Sequence, residues 1–155
     1  MNRYFASAAV ALALAMTAPA AASAGSADVD PSITDGTAAK EFKEARATWL
    51  ATGITNYRFV ITPSCFCYSV DPVKITVRGK RVKLSNRDWF GPRTIPGLFK
   101  LIHGAIHRDA ASLDTTYSKS RGFPRRVAID YDRMMADEEI SYTVTKFRKL
   151  KSTGR

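Results

Sequence analysis

The chain has 155 residues and a net charge of +10, from 24 lysines and arginines against 14 aspartates and glutamates. That length suits one domain and leaves no room for a second of ordinary size. The positive balance favours contact with polyanions or serves solubility alone, and the basic residues are spread along the sequence rather than packed into one block, as on a solvated surface.

Residues 1–24 have the anatomy of a secretory signal peptide: Arg3 in a short amino-terminal region, the apolar run ASAAVALALAMTA, and small residues leading to an expected cut after Ala24, with Ala20 and Ala22 as alternatives. The apolar run is too short to span a bilayer, so no transmembrane segment is expected after processing. No cysteine lies near the cut, which argues against a lipid anchor. The expectation is an exported protein, periplasmic or secreted, whose charge falls to +9 when Arg3 is removed. Outside the cytoplasm the acidic partner would be an envelope polymer, a protein or anionic lipid headgroups, and no nucleic acid is expected.

Residues 25–37, GSADVDPSITDGT, are polar and turn-rich and read as a flexible lead-in to a single domain over 38–150, with 151–155 as a disordered basic tail. Residues 38–51 place Phe42, Ala45 and Trp49 at helical spacing, with Gly53 as the stop. Trp49 reads as a core anchor. In NYRFVITPSCFC, Tyr57, Phe59 and Ile61 alternate with Arg58, Val60 and Thr62 as a strand requires, and Pro63 is expected to end the ladder. Residues 72–84, PVKITVRGKRVKL, read as a hairpin turning at Gly79, with Val73, Ile75 and Val77 on one face and a basic opposite face.

Residues 85–93 form a loop whose Trp89 and Phe90 are expected to fold back as a plug. Thr94 then caps a helix with Pro96 in its first turn, and Ile95, Leu98, Phe99, Ile102 and Ile106 form its apolar stripe. Three strands follow: one with Leu113, Thr115 and Tyr117, one with Val127, Ile129 and Tyr131, and one with Ile140, Tyr142 and Val144. Phe147 falls out of phase with the last, which predicts a β-bulge or a fraying end. The fold class is α+β: a two-layer single domain with an antiparallel sheet of five to six strands and two helices on one face, in the order α-β-β-β-α-β-β-β.

Trp49, Asn56-Tyr57, Cys65-Phe66-Cys67, the VxVxGxxV-like hairpin, Thr94-Ile95 with Leu98-Phe99, Tyr117, Gly122-Phe123-Pro124, Ile129-Asp130 and Ala136-Asp137-Glu138-Glu139 with Tyr142 occur in that order. The pattern resembles an uncharacterised family of small bacterial exported proteins and lipoproteins, described as a domain of unknown function. The resemblance implies a fold and a compartment, and no activity or cofactor.

The residues themselves contain no nucleophile-base-acid set, Gly-rich phosphate loop or HExxH spacing. Cys65 and Cys67 are the only cysteines, and an oxidising compartment would pair them. In a regular strand residues i and i+2 lie roughly 6.5–7 Å apart, at or beyond the usual limit for a disulfide, so a tightened backbone around Phe66 is expected. Such a pair is a local staple or, in a rival reading, a redox site. His103 and His107 lie one helical turn apart and could join Cys65 and Cys67 around zinc, or stand as solvated rim residues. Asp130 and Asp132 begin like a calcium loop, but Met134 stands where an oxygen ligand belongs, and a solvated turn balanced by Arg125, Arg126 and Arg133 is the ordinary reading. The leading functional expectation is a non-catalytic module whose sheet face, carrying Lys74, Arg78, Arg81, Lys83 and Arg126, meets an acidic partner.

Overall fold

The computed structural model describes residues 29–64, 71–132 and 139–151. The expected signal peptide, the Cys65–Cys67 pair, residues 133–138 of the acidic loop and residues 152–155 of the tail lie outside the described residues. The chain forms α1 (Pro31–Thr34), α2 (Thr37–Ala51), β1 (Asn56–Ser64), β2 (Val73–Arg78), β3 (Arg81–Leu84), α3 (Ile95–His107), β4 (Ser112–Tyr117), β5 (Pro124–Asp130) and β6 (Ile140–Lys149). The six strands make one antiparallel sheet in the order β3-β2-β1-β6-β5-β4. The last strand therefore inserts between β1 and β5.

The alternation expected in β1 is observed: Tyr57, Phe59 and Ile61 are buried under the helices, while Arg58 is exposed on the other face. Pro63 does not end the strand. Pairing toward β2 stops at Ile61↔Val73, but pairing toward β6 continues through Pro63↔Tyr142 and Ser64↔Ser141. A proline is tolerated where one side of the ladder has no partner left for it to disrupt.

The stretch read as a flexible lead-in is tied down from Asp30 onward. The Asp30 backbone N–H donates to the Ala110 carbonyl at 2.9 Å. Its carboxylate accepts from the Ser32 N–H, capping α1, and from the Leu113 N–H at the start of β4, each at 2.8 Å. The following helix buries only a narrow stripe, Ala38, Ala45 and Trp49, with Phe42 half-buried beside it.

In α3, Thr94 Oγ1 accepts from the Gly97 N–H at 3.0 Å, the expected cap. Ile95, Leu98, Phe99, Ile102 and Ala105 are buried. A second tie fixes the helix start, since the Ile95 N–H donates to the Tyr57 hydroxyl at 3.1 Å. Of the expected plug, only half forms. Trp89 is 5% exposed, donates its indole N–H to the Pro92 carbonyl at 3.0 Å and meets the Tyr142 ring edge-on, whereas Phe90 is 94% exposed. The loop buries the side chain whose polar N–H finds a carbonyl in the same turn, and its short reversal sends the next one outward.

The bulge expected near Phe147 lies opposite Phe59, where the β1–β6 register shifts and Lys146 takes φ +51°. One extra residue restores phase, so Val144 and Phe147 both face the core. Phe147 stacks on Phe123 and Tyr57 and meets Trp49 edge-on, closing one end of the core with aromatic rings. Gly122 explains the Gly-Phe-Pro sequence: at φ +71°, any Cβ there would collide with the α2 backbone at Ala45 and Trp49.

Candidate functional site

The helices cover one face of the sheet and leave the other open. Cross-strand register assigns the residues of the open face, since directly opposed residues share a face. Arg78 opposes Arg81, Thr76 opposes Lys83 and also Arg58, Arg58 opposes Arg148, and Val60 opposes Lys74. Lys74, Arg78, Arg81 and Lys83 thus stand together as expected, all exposed. The fold adds Arg58 and Arg148 to them. Asn56, Val60, Thr62, Thr76, Thr143 and Thr145 fill the intervening positions, and none of the strands β3, β2, β1 and β6 contains an Asp or Glu.

Local chemistry builds the array. Gly79 has φ +57° at the first central position of the β2–β3 turn, the conformation a tight hairpin needs there. Its N–H is held by the Thr55 carbonyl and by Asn56 Oδ1, each at 3.1 Å, so the start of β1 pins the turn flanked by Arg78 and Arg81. Arg78 also donates to the Lys151 carbonyl at 3.4 Å. Adjacent strands are about 4.8 Å apart, so the row Lys83, Thr76, Arg58, Arg148 crosses four strands over roughly 14 Å.

Arg126 stands apart from this group. It lies on the same face but on β5, with β1 and β6 between it and β2, and its Nε donates to Asp114 of β4 at 3.0 Å. Its carboxylate partner is thus on a strand, not in the acidic loop. It also borders a cleft of about 810 Å³ at the end of the β4–β5 hairpin, with Lys119, Arg121 and Arg125 on its walls and Phe123 and Phe147 at its base. Alternation had identified the correct face for Arg126; strand order, invisible in the sequence, put it elsewhere. Arg58 was legible from the same alternation, whereas the phase of Arg148 was hidden by the bulge at Lys146.

His103 and His107 are exposed on α3 with their Nε2 atoms 3.0 Å apart. Among the described residues no group of three or more His, Cys, Asp or Glu side chains converges as a metal site. Asp132 donates its N–H to Asp130 Oδ1 at 3.0 Å, a local turn at the start of the acidic loop. Among the described residues, too, no helix is long and apolar enough to cross a membrane.

These features define a small α+β domain with one helix-covered face and one open, cationic sheet face. Residues 41–149 match the family of unknown function DUF6174, and the chain belongs to that family. No curated protein and no solved structure matches the chain.

Proposed function

We propose that this is an exported, non-catalytic binding module whose open sheet face holds an extended acidic polymer or an acidic protein surface. The observation that carries this reading is a like-charge pair on adjacent strands, Arg58 directly opposite Arg148, within a row of cations that Lys83 extends. Like charges opposed on neighbouring strands destabilise a sheet, and neither β1 nor β6 contains an Asp or Glu. An anionic ligand lying across the strands removes that repulsion. The roughly 14 Å row of cations suits a chain of repeated charges better than a single small anion. Export is supported by the signal-like residues 1–24, and it directs the expectation to envelope polymers.

The test is retention on a heparin-like resin under a salt gradient. Changing Lys74, Arg78, Arg81 and Lys83 to glutamine should weaken binding about tenfold or more at 0.15 M salt and flatten its salt dependence. Changing four exposed cations of the helical layer, Lys40, Lys43, Arg46 and Lys100, removes the same charge and should cost much less. Equal losses from the two sets would reduce the effect to net charge and end the reading.

A further inference from the structure

The histidine pair on α3 offers chemistry that the sheet face does not use. A spacing of four brings both side chains to one side of the helix, and here the rings converge: their centroids are 4.2 Å apart, the planes are inclined by 55°, and Nε2 to Nε2 is 3.0 Å. The ring of Phe42 on α2 lies 5.7 Å from that of His103 and limits its rotation. Without metal, a hydrogen bond accounts for the short distance, one ring donating from Nε2 to the lone pair of the other.

The same convergence matches two imidazoles bound to one ion. Metal–nitrogen bonds of about 2.0–2.1 Å leave the two nitrogens about 2.9 Å apart at a right angle and about 3.3 Å apart at a tetrahedral angle. The observed 3.0 Å corresponds to adjacent positions around a tetragonal centre. Tetragonal nitrogen and oxygen coordination is the preference of Cu(II) and Ni(II), and Cu(II) heads the affinity order among divalent first-row ions.

We infer that His103 and His107 form a two-imidazole site for Cu(II), with water completing the coordination. Loading moves the shared Nε2 proton to Nδ1 of the same ring, so both Nε2 lone pairs face the metal and neither net protonation nor oxidation state changes. His107 lies in the last helical turn, where the carbonyl end of the helix favours a cation. Lys100, mid-helix and nearly one turn before His103, and Arg108, the C-cap residue, are positive charges on the same element that oppose it and limit the affinity. The site needs neither Cys65 nor Cys67, which separates it from the four-ligand zinc site expected from the sequence.

The experiment titrates the whole purified chain with copper(II) chloride, followed by calorimetry and by electron paramagnetic resonance, which counts the coordinated nitrogens. One ion per chain with two imidazole nitrogens is expected. His103→Gln and His107→Gln should each lower the affinity at least about tenfold, the smaller end of the loss produced by removing even an outer-shell partner. Both side chains are exposed, so both variants should keep the wild-type far-ultraviolet spectrum. The double variant Cys65→Ser, Cys67→Ser should bind as the wild type does. Unchanged binding in the histidine variants would overturn the site, and so would loss of binding in the cysteine variant.

Discussion

Tyr57 joins three parts of the molecule through one side chain. Its ring is buried against Trp49 and Phe147, and its hydroxyl receives the first N–H of α3. Tyr57→Phe keeps the packing but leaves the buried Ile95 N–H without an acceptor, a loss of about 1–3 kcal/mol; urea unfolding of the variant measures it directly. Burial also pushes the Tyr57 hydroxyl above its ordinary 10.0, with the Ile95 N–H pulling weakly the other way. Burial raises Tyr117 and Tyr142 as well. Below the ordinary value these tyrosines are neutral in both states and cost nothing. Above it the unfolded chain releases its protons first, so stability is lost as pH rises through the shifted values. The urea midpoint should therefore fall as pH rises above the ordinary tyrosine value of 10.0, and fall less in Tyr57→Phe.

At the scale of elements, two non-glycine residues among those described occupy the left-handed region, and each ends or redirects a secondary structure. Asp109, at φ +51°, follows α3; the Ala110 N–H returns to the Ala105 carbonyl at 3.1 Å and the Asp109 N–H to Ile106 at 3.4 Å, a Schellman closure with aspartate in the usual glycine position. Lys146, also at φ +51°, makes the β6 bulge that keeps Phe147 in the core. A left-handed L-residue costs roughly 1–2 kcal/mol, while glycine's greater freedom when unfolded costs back about 0.4–1. Lys146→Gly should thus stabilise the domain by up to about 1 kcal/mol, visible as a higher melting temperature. Asp109→Gly should gain less, because aspartate tolerates this region better than lysine.

Across the whole molecule, Phe99 is the joint between the layers. It meets Phe42 of α2 edge-on at 5.8 Å and stacks on Tyr117 of β4 at 6.4 Å. Truncating it opens a cavity where α2, α3 and the sheet converge, and Phe99→Ala should cost about 3–5 kcal/mol. Thermal melting near the wild-type temperature would show that the helices dock by other contacts.

Much of this architecture follows from local pattern. Alternation at Tyr57, Phe59 and Ile61, the 3.6-residue stripe ending at Ile106, Thr94 as a cap and Gly79 as a turn are properties of neighbouring residues, and backbone geometry reads them the same way in any context. The out-of-phase Phe147 left a bulge or a fraying end open, and the register shift opposite Phe59 decides for the bulge. What neighbours cannot encode is which strands lie side by side. Only the insertion of β6 between β1 and β5 brings Arg148 opposite Arg58 and places Arg126 beside Asp114, with two strands between it and the nearest of the cations it was grouped with. Phe90 is outward for a similar reason: its hydrophobicity marks a candidate for burial, but the single loop turn has a core position only for Trp89, whose indole N–H finds the Pro92 carbonyl. The sequence by itself determined the two long helices, the strands and most of the chemistry on their faces, but not α1 or the continuation of β1 through Pro63. Tertiary structure alone decided which charges meet, because pairing between distant segments is set by the packing of the whole sheet against its helices.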